Sequence, residues 1–133
     1  MRFSTLAASA LAFAASALAQ TPQFAYVAKP TKGEKLIAGT PFEFVWHTAN
    51  HLGGTISLHL LQGPDEVHLE TTATLATHIP NEATGIFKWI VPASLAAETG
   101  VFGLNITLDS DPNIFQYSPF FHIVSVNVTG ALN

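Results

Sequence analysis

The chain has 133 residues, of which five are Lys or Arg, nine are Asp or Glu and none is Cys. The length suits one domain, and the formal net charge of −4 provides no basic patch for nucleic acid or an anionic membrane. The absence of Cys excludes disulfide bonds, thiol catalysis, zinc sites built on Cys and iron–sulfur clusters.

Residues 1–19 have the three features of a secretory signal peptide. Arg2 supplies a positive charge, an apolar run follows from Leu6 to Ala19, and Ala17-Leu18-Ala19 presents small residues to signal peptidase. We therefore predict cleavage before Gln20 and a secreted, extracellular or cell-wall chain in which residues 20–133 form one domain. The apolar run is shorter than the roughly 20 residues of a membrane span, and we expect no span elsewhere. A buried N-terminal helix is the alternative interpretation.

The remainder of the chain alternates between apolar and polar residues with a period of two, which indicates β-strands. Gly- and Pro-containing turns separate the runs, and the segment from Pro92 to Thr99 has room for one helical turn. About seven short antiparallel strands predict an all-β fold, namely a β-sandwich of immunoglobulin or fibronectin type III style. In chain order the runs are Phe24–Val27, Phe42–His47, Ile56–Leu61, Ala73–Ile79, Phe87–Val91, Phe102–Leu108 and Phe120–Val128.

The parity of individual residues predicts which side chains are buried. Trp46 and Trp89 share the parity of their apolar neighbours, so we expect both in the core; a sugar-stacking platform would require them on the opposite face. In the last run the apolar parity changes after Ile123, which indicates either a bulge or a change of strand pairing.

Two N-glycosylation sequons, Asn105-Ile106-Thr107 and Asn127-Val128-Thr129, follow the acceptor pattern. Asn105 and Asn127 each have the parity opposite to that of their apolar neighbours. We therefore expect both side chains to face solvent, where a secreted chain can carry glycans.

Residues that could support catalysis or metal binding form no recognisable pattern. His47 and His51 have the spacing of a zinc pair on a helix, but here one ends a strand and the other lies in a loop. The segment from Asp109 to Asn113 begins like a calcium loop, yet Ile114 and Phe120 stand where Gly and Glu are required. There is no nucleophile elbow and no recognisable pair of catalytic carboxylates. The sequence therefore predicts solvated surface His residues, no metal or cofactor, and no enzymatic activity.

Several blocks of the sequence occur in the order found in a known fungal domain. The blocks are Val27-Ala28-Lys29-Pro30 with Gly33, Ala38 to Trp46, Ile56 to Gly63, Ile79-Pro80-Asn81, Gly85 to Pro92, and Tyr117 to Ile123. Together they cover roughly residues 24 to 124 and resemble the N-terminal domain of the Kre/Knh cell-wall-synthesis proteins, which also occurs in the Ser/Thr-rich, GPI-anchored membrane family.

The resemblance implies a secreted, non-catalytic protein of the fungal cell wall or extracellular matrix, because that family is linked to assembly of β-glucan. The chain departs from the family in two respects. It has neither the Ser/Thr-rich stalk with a lipid-anchor signal nor the further C-terminal region of fuller members, so a direct role in glucan synthesis is less expected.

Two binding functions remain as alternatives. A carbohydrate-binding module for wall polysaccharide such as β-glucan would need exposed aromatic rings. The candidates are Tyr26, Phe115, Tyr117 and Phe120, for which ordinary packing at strand ends is the simpler interpretation. A module that binds a wall protein could instead accept a strand at an exposed sheet edge.

Overall fold

A computed structural model describes residues 20–96 and 100–125. The predicted signal peptide and the second sequon at Asn127 lie outside these ranges. None of the helical segments within them is long and apolar enough to cross a membrane.

The described chain is all β, apart from a single 3₁₀ turn at Ala93–Leu95 within the segment predicted to hold a helical turn. Its strands are β1 (Tyr26–Lys29), β2 (Glu34–Ile37), β3 (Pro41–His47), β4 (Thr55–Gly63), β5 (Glu70–Pro80), β6 (Thr84–Ile90), β7 (Val101–Leu108), β8 (Asp111–Tyr117) and β9 (Phe121–Val124). One sheet has the order β1-β3-β6, and the six-stranded sheet has the order β2-β9-β7-β4-β5 with β8 also paired to β7. This confirms the predicted β-sandwich.

The structure has nine described strands where about seven were predicted, and not all of them are antiparallel. The predicted opening run, Phe24–Val27, overlaps β1, which pairs with β3. The next strand, β2, was not predicted, and it pairs in parallel with β9 in the other sheet. Near the end of the chain, β8 pairs with the second half of β7, and β9 pairs with β7 only at Phe102. Neither β2 nor β8 coincides with a predicted run, and the alternation within a single strand does not reveal which strand it pairs with.

The core between the sheets is built from large aromatic side chains. Trp46 is fully buried and Trp89 is 8% exposed, which confirms that both belong to the core. The rings of Phe44 and Trp89 are stacked with centroids 5.5 Å apart, and those of Phe102 and Phe121 are stacked at 6.0 Å. Burial of side chains of this size is the main favourable term in the stability of a domain without cross-links.

Polar side chains hold the segment before β1 against the sandwich. The backbone N–H of Ala25 donates to Thr48 Oγ1 at 2.9 Å, and Gln116 Nε2 donates to the carbonyl of Phe24 at 3.0 Å. Thr21 exchanges two hydrogen bonds of 3.0 Å with the backbone of Phe115. The outer edge of β8 is therefore covered at this point, which reduces its tendency to pair with another chain.

Candidate functional site

The outward side of the six-stranded sheet brings polar and aromatic side chains from four neighbouring strands into rows. In one row Tyr117 of β8 is opposite Asn105 of β7, which is opposite His59 of β4, which is opposite Thr74 of β5. Directly opposed residues project to the same side of a sheet, and strands are about 4.8 Å apart, so this row spans about 14 Å. In a second row, Phe115 is opposite Thr107 and Thr107 is opposite Ser57. We call these seven residues the polar face.

An aromatic pair forms one end of the polar face. The rings of Phe115 and Tyr117 are both partly exposed and meet edge to face, with centroids 5.2 Å apart. Tyr117 and Phe120 also pack against a small apolar cluster of Leu61, Leu69 and Val101. Burial raises the pKa of the Tyr117 hydroxyl. This cluster thus holds Tyr117 in place, and the ring of Phe115 packs against Tyr117 at the same end of the polar face.

His59 lies near the centre of the polar face, between two threonines. Its Nδ1 is 3.2 Å from Thr74 Oγ1, and its Nε2 is 3.4 Å from Thr107 Oγ1. Partial burial lowers the pKa of His59, and the nearby Asp109 carboxylate opposes this effect. Because an unperturbed His has a pKa of about 6.5, the imidazole is neutral at pH 7, and one ring nitrogen donates while the other accepts.

The carboxylate of Asp109, in the turn between β7 and β8, flanks the polar face. It accepts hydrogen bonds from Thr55 Oγ1 at 2.6 Å and Ser57 Oγ at 2.5 Å. These two bonds are the main reason that the pKa of Asp109 is lowered, and His78 lowers it further. The carboxylate is therefore ionised at neutral pH, and it keeps lone pairs for additional donors.

Asn105 of the first sequon occupies the middle of the polar face. Its side chain is partly exposed, but its Oδ1 is buried and has no hydrogen-bond partner. Asn105 therefore lies on the outward side of the sheet, as expected. Its amide oxygen, however, is covered and does not face solvent. The nitrogen Nδ2 is the remaining polar atom of the side chain that can reach outward.

The four aromatic residues considered for glycan contact do not form one group. Phe115, Tyr117 and Phe120 come together at the end of the six-stranded sheet. Tyr26 is 67% exposed on β1 and pairs with His47 in the three-stranded sheet. On that sheet Ile86 and Ile90 are also largely exposed. The outward side of the three-stranded sheet is thus a second surface, on which the opposed pair Glu43 and Lys88 lies between the two isoleucines.

A groove of about 250 Å³ opens between the edges of the two sheets, beside Trp89. Its walls are mainly apolar and are formed by Leu60, Gln62, Thr72, Ala73, Leu75, Trp89, Pro92, Ser94 and Leu95. Ligand pockets usually enclose about 300 Å³ or more and combine apolar walls with convergent polar groups. The groove is therefore a weaker candidate than the polar face for a ligand rich in hydroxyl groups.

The histidines do not assemble into a metal site within residues 20–96 and 100–125, where no three His, Asp or Glu side chains are close enough to share an ion. His47 is on β3 and His51 is in the following loop, and both are exposed. His68 instead pairs with Asp65 at 2.7 Å, and this hydrogen bond is the main reason that the pKa of Asp65 is lowered.

Several residues of the polar face were not singled out from the sequence as binding residues, notably His59, Thr74 and Ser57, and neither was the flanking Asp109. Their signal was present in the strand parity, because Ser57 and His59 alternate with Ile56, Leu58 and Leu60. Strand parity does not predict that β4 pairs with β5 and β7. This pairing places the polar residues of β4 and β5 in the same rows as Asn105 and Tyr117.

Residues 29–123 match a family model described as the Kre9/KNH-like N-terminal Ig-like domain. The chain belongs to this family. The match confirms the resemblance drawn from the ordered blocks and agrees with the sandwich of two sheets. The family is linked to cell-wall glucan synthesis, and its Ig-like domain is not a known catalytic fold. No curated protein and no solved structure matches the chain.

Proposed function

We propose that this chain is a secreted, non-catalytic protein of the cell wall and that it binds wall β-glucan through the polar face. The observation that carries the proposal is the pair of rows that align an aromatic pair, an amide, an imidazole and three hydroxyl groups across adjacent strands. The link of the family to cell-wall glucan synthesis supports the choice of polymer. The predicted signal peptide supports the location.

The chemistry of the polar face suits a polyhydroxylated ligand. The rings of Phe115 and Tyr117 can cover the apolar face of a sugar ring, while His59, Thr107 and the ionised Asp109 can exchange hydrogen bonds with its hydroxyl groups. A row of about 14 Å on the outward side of a sheet can contact a polymer along its length without enclosing it. Binding to an insoluble wall glucan needs this open geometry, since the polymer cannot enter a closed pocket.

The arrangement favours binding over hydrolysis of the glycan. Glycoside hydrolysis generally uses two carboxyl groups, one on each side of the scissile bond. Among the described residues, Asp109 is the only carboxylate that is hydrogen-bonded to a side chain of the polar face. Its low pKa also makes it a poor proton donor at neutral pH.

A depletion assay tests the proposal. Protein comprising residues 20–133 is mixed with insoluble β-1,3-glucan, β-1,6-glucan, chitin or cellulose, and the protein left in solution is measured against polymer concentration. We expect saturable depletion by a β-glucan, and we expect Phe115→Ala to weaken it about tenfold, equivalent to about 1.4 kcal/mol. Tyr26→Ala is the matched control, because it removes an exposed ring from the other sheet, and it should leave the depletion unchanged.

The outward side of the three-stranded sheet favours a second candidate function, binding of a wall protein. Tyr26, Ile86 and Ile90 expose 67%, 58% and 61% of their surface there, and exposed apolar side chains on one side of a sheet favour protein contacts. Absence of depletion by every polymer would reject the glucan proposal and leave this candidate. If Tyr26→Ala abolished the depletion and Phe115→Ala did not, the glucan site would lie on the three-stranded sheet and not on the polar face.

A further inference from the structure

Asn105 combines two properties that bear on the polar face. It is the acceptor of a sequon, and it lies at the centre of the face with Tyr117 on one side and His59 on the other. Directly opposed side chains in neighbouring strands have Cβ atoms about 5 Å apart. Any group attached to Asn105 therefore begins between these two rings and is within reach of both.

The orientation of the amide is compatible with such an attachment. Oδ1 of Asn105 is buried, whereas the side chain as a whole is partly exposed, so Nδ2 is the polar atom that can carry a substituent outward. Thr107, the third residue of the sequon, is two positions further along β7 and projects to the same side.

We propose that an N-linked glycan on Asn105 lies across the aromatic pair and controls the access of wall glucan to the polar face. The first sugar would occupy the position between Tyr117 and His59, where the proposed ligand also binds. The chain would thus exist in a covered form and an open form, according to whether Asn105 is modified. This inference rests on the proposed function, because it concerns the regulation of the same site.

The modification itself requires a donor from the secretory pathway. A bond forms between Nδ2 of Asn105 and C1 of the first sugar of a lipid-linked oligosaccharide diphosphate. The bond between that C1 and the diphosphate oxygen breaks, the lipid diphosphate leaves, and the amide nitrogen loses one proton. No oxidant or reductant is needed, and the sugar chain adds no charge of its own to the face.

The test compares one protein in three states. The chain with Asn127→Gln, which removes the second sequon, is secreted from a eukaryotic host that attaches N-glycans, and is also produced in a bacterial host that does not. A portion of the secreted protein is trimmed with an endoglycosidase that leaves a single sugar. Peptide mass spectrometry measures the occupancy of Asn105, and depletion by insoluble β-1,3-glucan measures binding.

We expect Asn105 to be modified in the secreted protein and its affinity for β-1,3-glucan to be at least tenfold lower than that of the bacterial protein, with trimming restoring part of the loss. An unmodified Asn105 in the secreted protein, or equal affinities of the modified and unmodified forms, would overturn the inference while leaving the proposed function intact. Failure of the unmodified form to bind any β-glucan would instead overturn the proposed function, and the inference with it.

Discussion

Gly85→Ala is expected to lower the free energy of unfolding by about 3 kcal/mol, at the upper end of the usual cost of overpacking. Gly85 of β6 is directly opposite Trp46 of β3, and the indole lies over the glycine backbone. A Cβ atom on Gly85 would be 2.0 Å from Trp46 Cε2 and 2.1 Å from Nε1. Because Trp46 is fully buried, its ring can move only by displacing other core side chains.

The matched control for this prediction is Gly103→Ala. Gly103 is also in a strand interior, but the nearest atoms to an added Cβ are side-chain carbons of Leu69 and Leu61 at 3.5 Å and 3.6 Å. This contact is ordinary packing, so we expect the free energy of unfolding to change by less than about 0.5 kcal/mol. Urea denaturation measures the free energy of unfolding of both variants. Equal values for Gly85→Ala and Gly103→Ala would show that the Trp46 ring does not pack directly against the backbone of Gly85.

Asn81→Ala is expected to lower the free energy of unfolding by about 2 kcal/mol, because it leaves two carbonyl groups without their donor. Asn81 is 4% exposed, and its Nδ2 donates to the carbonyls of His51 and Gly53. Its backbone N–H also donates to the carbonyl of Gly54 at 3.0 Å. Gly53 and Gly54 have φ values of +94° and +73°, so the loop between β3 and β4 holds a conformation suited to glycine.

Asn113→Ala provides the control for Asn81, since Asn113 is exposed on β8 and its backbone N–H, which the substitution keeps, donates to Asp111 Oδ1 at 3.1 Å. We expect a change of less than about 0.5 kcal/mol for this variant. Hydrogen exchange adds a local measurement. Loss of the Asn81 side-chain amide should raise the exchange rate of the Gly53 backbone N–H more than the rates of backbone N–H groups in the core. Unchanged stability and exchange in Asn81→Ala would contradict the assigned role.

These two residues show why the family blocks recur as sequence patterns. The Gly of the block from Gly85 to Pro92 makes room for Trp46, and the Asn of Ile79-Pro80-Asn81 closes a neighbouring loop. Both contacts join segments more than 25 residues apart, as Asn81 and His51 illustrate. The resemblance thus identified the fold through residues whose physical roles appear only in three dimensions.

Local patterns predicted most strands correctly, but they missed β2, which depends on a distant partner, and β8, whose first residues have the composition of a turn. In β2 only Leu36 is buried, and the strand is held by its parallel pairing with β9. In β8 the residues Asp111-Pro112-Asn113 have the composition of a turn, although the turn consists of Asp109 and Ser110. An irregularity in the pairing of β7 and β8 next to Thr107 accommodates this segment.

The polar face was predictable only in fragments. Phe115, Tyr117 and Phe120 were considered because aromatic side chains suit sugars, and the sequon identified Asn105. The alignment of these residues with His59 and Thr74 depends on the pairing of four strands, in which β4 and β5 are joined through three register shifts. A shift of one residue would move each side chain to the other side of the sheet, so strand parity alone could not establish the site.

Chemical-shift mapping by NMR tests most directly the claim that wall glucan binds at the polar face. Isotope-labelled, unglycosylated protein comprising residues 20–133 is titrated with soluble β-1,3-glucan oligosaccharides. We predict that the largest amide shifts cluster on β4, β7 and β8, around His59, Asn105 and Phe115. Shifts confined to the groove beside Trp89 or to the three-stranded sheet, or no saturable shifts at all, would contradict the account.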